Sequence, residues 1–175
     1  MRITVFRDFP YLYDGKRAFE RDFLAAYAQS RGALVVGAFD NDRLIGAALA
    51  TPMADHPNEF ATPFIERGID IDQVYYFGGI MLLPEWRRRK VGDLFFDRRE
   101  ARARDLGFPI ACFSTVVRPP DHPARPDGYA PPDSFWRARN YAPVQGLVAQ
   151  YRWKETGDAD KSDHAMQFWV KHLDV

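Results

Sequence analysis

Several features of other protein classes are missing from this 175-residue sequence. Cys112 is its single cysteine, so no disulfide can form within the chain, and one cysteine among four histidines predicts no metal site. The 24 basic and 24 acidic side chains cancel, whereas a general nucleic-acid or membrane-surface binder needs a basic excess. We therefore expect no nucleic acid and no membrane among its partners.

Long apolar runs are also missing. No stretch reaches the roughly 18 apolar residues that a membrane-spanning helix needs. Residues 1–8 carry charges where a signal peptide needs an apolar stretch. Together with the single cysteine, this start predicts a reducing, cytoplasmic location.

What the sequence does have is core-forming material, with 46% hydrophobic and 15% aromatic residues. This is enough for one domain over residues 1–175. The apolar periodicity predicts helices over 16–29, 91–106 and 134–140, and strands over 3–6, 34–39, 43–51, 74–83, 109–117, 147–154 and 164–173. Between residues 53 and 69, Pro57 and Pro63 each open a short helix in this interpretation. The order predicts an α/β (α+β) fold, with a mixed sheet of about seven strands and helices on both faces.

The most informative stretch lies between Ile80 and Leu94. An apolar strand ends at Pro84, a basic loop follows, and a helix starts at once. Backbone N–H groups and the helix dipole then converge on one spot, which favours a phosphate or pyrophosphate. The Walker A pattern is missing, so phosphoryl transfer is disfavoured.

This stretch resembles motif A of the GNAT acetyltransferases, whose pyrophosphate loop reads Arg/Gln-x-x-Gly-x-Gly/Ala. Arg87 matches its first position and Gly92 its last, whereas Lys90 stands where the first glycine is usual. Glycine there allows the phosphate to approach the backbone closely.

A second segment, residues 134–141, resembles the end of motif B, Phe-Tyr-x-x-x-Gly-Phe. Phe135 matches, Asn140 replaces the glycine, and Tyr141 replaces the second phenylalanine. Asparagine is the next best residue for a left-handed helix end. Trp136 occupies the place of a tyrosine that protonates the leaving thiolate in many family members, and an indole cannot do so.

The resemblance implies a mixed, mostly antiparallel sheet and acetyl-CoA as co-substrate, with no metal. The reaction it implies is direct attack of a small amine on the thioester, and a homodimer is left open. A CoA-binding sensor or partner module without catalysis is the alternative. The implied cofactor-binding residues are Met81, Leu82, Leu83, Arg87, Arg88, Arg89, Lys90, Val91, Gly92, Asp93 and Trp136.

Catalytic groups are less well defined by the resemblance. It places a backbone N–H near Leu82 opposite the thioester oxygen. Glu85 and Tyr141 are the further candidates for the base and the acid. The other carboxylates on the expected acceptor side are Glu59, Glu66 and Asp70, and the other tyrosines that could replace the acid are Tyr75, Tyr76 and Tyr129.

The proline-rich stretch from residue 117 to 133 is the last candidate region. A long loop stiffened by prolines is typical of functional lids. We expect Arg118, His122, Arg125 and Tyr129 to line the acceptor pocket, with the two arginines suited to a carboxylate on the acceptor. A rigid surface loop is the alternative interpretation.

Overall fold

A computed structural model describes residues 1–56 and 58–175. Its α-helices are α1 (Arg2–Phe6), α2 (Arg17–Gln29), α3 (Asn58–Ile65), α4 (Val91–Asp105) and α5 (Asp133–Ala138). Its strands are β1 (Leu34–Asp40), β2 (Arg43–Pro52), β3 (Val74–Leu82), β4 (Ile110–Val116), β5 (Ala142–Lys154) and β6 (Lys161–His172). Single turns of 3-10 helix cover Met53–Asp55, Ile71–Gln73 and Pro84–Trp86.

The strands form one mixed sheet in the order β1-β2-β3-β4-β6-β5. Among the described residues, β3 and β4 are the only parallel pair of neighbouring strands. All other neighbouring strands of the sheet run antiparallel. The predicted mixed and mostly antiparallel sheet is therefore confirmed, with six strands rather than about seven.

The two central strands separate along their length. β3 pairs with β4 only from Val74 to Tyr76, opposite Ile110 to Cys112. Beyond this point β4 continues beside β6 as far as Val116, and β3 continues beside β2. The pairing of β2 with β3 is irregular next to Gly79, whose φ of 145° is available to glycine at little cost. The carboxyl half of β3 thus keeps one free backbone edge.

Helices cover both faces of this sheet. On one face, α1 and α2 pack through Phe6, Phe23 and Tyr27 on Leu49 and Met81, and α3 extends this layer. On the other face, α4 and α5 enclose an aromatic cluster that includes Phe77, Phe96, Phe113, Phe135 and Tyr141. Burial on both faces explains why β3 is apolar throughout.

A buried polar cluster joins α4 to the opposite elements. Glu100 is almost fully buried and accepts hydrogen bonds from Tyr141 (3.2 Å) and Lys171 (2.8 Å). Arg104, one turn further along α4, pairs with the same carboxylate at 3.4 Å. Because a buried carboxylate is costly without partners, these contacts fix the position of α4 against β6 and residue 141.

The predicted first strand over residues 3–6 is wrong. This segment is helix α1, and Met1 and Val5 pack together on the cluster around Tyr27. Residues four apart meet on one side of a helix, whereas the alternation of Ile3 and Val5 resembled a strand. The sheet loses its seventh strand for this reason.

Other boundaries also differ. Pro63 does not open a helix but lies within α3, near its end, where few backbone hydrogen bonds depend on it. The proposed helix start at Pro57 lies outside the described residues. β5 begins at Ala142, five residues early, because an edge strand tolerates Pro143 and an irregularity in pairing.

The contact between α2 and β3 can be tested by a double-mutant cycle. A Cβ on Gly78 would lie 1.7 Å from the Tyr27 hydroxyl, so we expect Gly78→Ala to lower the free energy of unfolding by about 2 kcal/mol. Tyr27→Phe alone should change it little, because the hydroxyl is buried and makes no hydrogen bond within the described part of the chain. Measured by urea unfolding, the double variant should regain part of the free energy of unfolding that Gly78→Ala loses. Purely additive effects would contradict this contact.

Candidate active site

The start of α4 forms a cradle of unpaired backbone N–H groups. Arg88 and Lys90 have left-handed backbone conformations, with φ of 58° and 64°. The first helical hydrogen bond is donated by Leu94 to the Lys90 carbonyl, and no side chain caps the helix among the described residues. A left-handed residue followed by a helix turns successive N–H groups toward one point, which is an anion-binding arrangement.

The basic side chains of this loop are exposed. The Arg87 Nε–H donates to the Leu82 carbonyl at 3.4 Å, and Arg89 stacks on Trp86 at 4.8 Å from the ring centre. Arg88 and Lys90 have no carboxylate within ion-pair distance among the residues the structure covers. Both charges are therefore available to an anionic ligand.

The remaining predicted cofactor residues lie around the first turn of α4 and on α5. Val91 joins the small cluster beneath Leu82, and a Cβ on Gly92 would point toward Phe135 at 3.7 Å. Asp93 pairs with Arg139 at 3.1 Å, which ties α4 to the end of α5. Its negative charge is thereby offset next to the anion cradle.

Trp136 packs into the aromatic layer beside α4. Its ring lies 5.0 Å from both Phe113 and Trp169. Asn140, at the end of α5, has a φ of 65° and confirms the predicted left-handed helix end. The tryptophan therefore forms a wall beside β4, next to the gap that opens where β3 and β4 separate.

The free edge of β3 presents specific backbone groups. The Leu83 N–H donates to the Ile45 carbonyl at 3.0 Å, so Leu83 and Met81 direct their backbone groups toward β2. Because successive residues of a strand alternate sides, Leu82 directs its N–H and carbonyl toward the gap. Among the three predicted strand residues, only Leu82 presents an N–H to a ligand there.

A cavity of about 440 Å³ opens at this gap, on the face of the sheet that α1 and α2 cover. Its walls come from α1, α2, the N-terminal loop, the β5–β6 hairpin and the inner part of β3 and β4. Gly78 and Gly79 lie at its inner end, together with Tyr76 and Ser114, whose hydroxyls are 2.9 Å apart. Burial raises the pKa of Tyr76 well above its usual value, so its hydroxyl stays protonated and polar at neutral pH.

The proline-rich loop is irregular as predicted, but its arginines are already engaged. Arg118 is partly buried, donates to the carbonyls of Pro10 (2.7 Å) and Tyr11 (3.2 Å), and pairs with Glu155 at 2.5 Å. Arg125 donates to the Tyr129 carbonyl at 3.0 Å and stacks on the Tyr129 ring. Both arginines therefore bond to residues of the protein itself, whereas the sequence predicted that they contact an acceptor.

The two rings of the loop complete this packing. Tyr129 meets Phe9 edge to face at 4.8 Å, and His122 lies 5.5 Å from the same ring. The His122 Nδ1 accepts a hydrogen bond from the Ala124 N–H. Burial raises the pKa of Tyr129, while the charges of Arg125 and Arg87 oppose the rise. The loop thus packs on the N-terminal loop, and its four predicted residues do not line the cavity.

The other predicted catalytic residues are scattered. Glu85 is exposed and pairs with Arg43 at 3.0 Å, and Tyr141 is buried against Glu100. Burial and Glu100 raise the pKa of Tyr141. Of the remaining sequence candidates Glu59, Glu66, Asp70, Tyr75 and Tyr76, only Tyr76 lines the cavity.

Sequence reasoning missed most of the cavity. Phe6, Tyr13, Phe23, Tyr151 and Trp153 line it from distant parts of the chain. The available signal was the excess of aromatic residues near both ends of the sequence, but side chains this far apart are brought together only by the fold.

The described residues contain no group of three or more His, Cys, Asp or Glu side chains that could hold a metal ion. In the same part of the chain, no helix has both the length and the apolar composition needed to cross a membrane.

The combination of this sheet, its split central strands and the cradle between β3 and α4 is typical of a protein that binds an anionic ligand at the start of α4. The family model for the acetyltransferase (GNAT) family matches residues 3–126. The chain therefore belongs to the GNAT acetyltransferase family, whose members use acetyl-CoA.

Solved structures agree with this fold. The ribosomal-protein-alanine N-acetyltransferase of Brucella melitensis has a TM-score of 0.58 at 11% identity, covering 91% of this chain and 80% of that chain. The polyamine N-acetyltransferase of Drosophila melanogaster has 0.55 at 15% identity, with coverages of 91% and 83%. A structure from Bacillus anthracis in complex with acetyl coenzyme A has 0.53 at 12% identity, with coverages of 85% and 67%. No match was found among curated protein sequences.

The left-handed conformation of Lys90 leads to a stability prediction. Glycine adopts this conformation without the cost of a Cβ, so Lys90→Gly should raise the free energy of unfolding by about 1 kcal/mol. Arg89→Gly is the matched control, because Arg89 has no positive φ and stacks on Trp86; it should lower the free energy. Urea unfolding compares the two, and equal effects would contradict the backbone argument.

The engagement of Arg118 leads to a second prediction. Arg118→Ala removes the partly buried guanidinium that contacts Glu155 and two carbonyls, so the free energy of unfolding should fall by about 3 kcal/mol. Arg125→Ala removes a more exposed contact and should cost less than about 1 kcal/mol. Chemical denaturation of both variants is the measurement. Equal, small losses would mean that Arg118 is not a structural tie.

Proposed function

We propose that this protein transfers an acetyl group from acetyl-CoA to a small amine by direct attack of the amine on the thioester. One observation carries the proposal: the anion cradle, the free β3 edge and the cavity follow one another along a single path. A ligand with phosphates at one end and a thioester at the end of a long polar arm suits this order of groups.

The cradle is the proposed pyrophosphate site. The N–H groups of Val91, Gly92 and Asp93 belong to the first turn of α4, where the dipole favours an anion. Arg88 and Lys90 add two charges with no ion-pair partner in the described part of the chain. Their charge offsets the poorer close approach that Lys90 allows in place of glycine.

The free edge of β3 is the proposed site of the thioester arm. Leu82 offers its N–H to a strand-like amide chain, while its carbonyl accepts from the Arg87 Nε–H. In the acetyl-transfer step the amine nitrogen forms a bond to the thioester carbon, and the carbonyl oxygen gains negative charge. A backbone N–H aimed at that oxygen lowers such a barrier by about 3 kcal/mol.

The cavity, rather than the proline-rich loop, is the proposed acceptor site. The hydroxyl pair of Tyr76 and Ser114 lies at its inner end, where it can orient the attacking nitrogen by hydrogen bonds. The amine must lose a proton, and a water in the cavity is the proposed carrier of that proton. The thiolate of CoA leaves when the carbon–sulfur bond breaks.

The second candidate is a CoA-binding module that does not turn over. Two observations favour keeping it: Lys90 occupies the glycine position, and Trp136 occupies the place of the usual acid. The two candidates differ in one measurable respect. An enzyme releases free thiol from acetyl-CoA when amines are present, and a binding module does not.

We expect acetyl-CoA to raise the melting temperature and a pool of small primary amines to accelerate thiol release. Binding to the folded state alone stabilises it by about 2.7 kcal/mol at a hundredfold excess over Kd. Arg88→Glu combined with Lys90→Glu should weaken acetyl-CoA binding at least about tenfold, because two attractive charges become repulsive.

Arg98→Glu is the control for this charge reversal, since Arg98 is exposed two turns further along α4. It should leave the binding of acetyl-CoA unchanged. A thermal shift without thiol release would favour the binding module, and no shift at all would overturn both candidates.

A further inference from the structure

We infer that the acceptor is a primary amine with an aromatic body and no second cationic group. The inference rests on the proposed function, because it takes the cavity beside the β3–β4 gap as the acceptor site. The cavity volume of about 440 Å³ lies within the range of small-molecule sites, about 300–1,000 Å³.

The walls of this cavity are aromatic. Ten of the described residues that line it are phenylalanine, tyrosine or tryptophan, among them Phe6, Phe23, Phe60, Tyr151 and Trp153. Aromatic rings bury large apolar area and favour edge-to-face contacts with a further ring. Their faces also attract a single ammonium group. Such walls suit an aromatic amine better than a polar or highly charged acceptor.

Two of the basic side chains that line the cavity, Arg2 and Lys154, are paired with carboxylates. Arg2 pairs with Glu20 at 2.6 Å and stacks on Phe6 and Phe23. Lys154 pairs with Asp14 at 3.0 Å. These pairs leave no carboxylate deep in the described wall that could receive a second ammonium.

The remaining charges lie toward the mouth. Arg152 pairs with Asp163 at 3.5 Å. Lys16 and Lys161 have no carboxylate within ion-pair distance among the described residues, and Asp160 is the one acidic side chain that lines the cavity there without such a partner. Two lysines against one aspartate disfavour the distal cation of a diamine.

The cavity also has a direction. Its inner end is formed by Gly78, Gly79 and the Tyr76–Ser114 hydroxyl pair, next to the free edge of β3. Phe19, which is 39% exposed, belongs to the outer part. An amine whose nitrogen reaches the gap would therefore place its body along the aromatic walls and its far end near Lys16 and Lys161.

The inference can be tested with a panel of amines assayed by thiol release. We expect kcat/KM for phenylethylamine to exceed that for putrescine, a diamine, by at least about tenfold, which corresponds to about 1.4 kcal/mol. Propylamine, which is a monoamine without a ring, should fall below phenylethylamine. Calorimetric binding of the same amines to the CoA-loaded protein is the second measurement and does not depend on turnover.

Two variants locate the effect. Phe19→Ala should raise KM for phenylethylamine about fivefold and leave propylamine nearly unchanged. Leu24→Ala is its control, because Leu24 is 45% exposed on the same helix and does not line the cavity. Lys16→Glu with Lys161→Glu should improve kcat/KM for putrescine, whereas Arg98→Glu should not.

The outcomes separate the inference from the proposed function. Turnover of putrescine with equal or higher kcat/KM than phenylethylamine overturns the inference and leaves the acetyltransferase proposal standing. Acetyl-CoA binding without thiol release from any amine overturns the proposed function. In that case tighter calorimetric binding of phenylethylamine than of putrescine still supports the inference, and weaker or absent binding overturns it.

Discussion

The separation of β3 from β4 is the constraint on which the site depends. The two strands pair only from Val74 to Tyr76, and Gly79 takes a conformation that lets β3 turn away at that point. A continuous parallel pair would satisfy every backbone group and leave nothing for a ligand to bind. The gap instead exposes the Leu82 backbone between the anion cradle at the start of α4 and the aromatic cavity.

The far side of that cavity is built by segments that are remote in sequence. Arg118 connects the end of β4 to the carbonyls of Pro10 and Tyr11 and to Glu155. A partly buried arginine with three partners holds the N-terminal loop against the β5–β6 hairpin. The residue therefore shapes the cavity from behind, although its chemistry in isolation suggested direct contact with an acceptor carboxylate.

The departures from the family motifs have different physical consequences. Asn140 replaces glycine in a left-handed conformation that asparagine tolerates well. Lys90 does the same at a greater backbone cost, but it adds a charge beside the cradle. Trp136 supplies packing against Phe113 and Trp169 rather than an acid. The loop between β3 and α4 and the aromatic packing around Trp136 therefore keep their shapes. The group that protonates the leaving thiolate has to be a different one.

The sequence by itself determined the strand–loop–helix unit from Val74 to Asp105 and the hairpin of β1 and β2, because apolar periodicity and the proline and glycine positions act locally. It also determined the left-handed helix end at Asn140. It misassigned residues 3–6, since Ile3 and Val5 alternate as in a strand and only packing on the Tyr27 cluster makes them helical. The tertiary structure alone decided that Arg118 contacts Pro10, Tyr11 and Glu155, and that aromatic residues from both ends form one cavity. Contacts between segments more than a hundred residues apart leave no periodic trace in a single sequence.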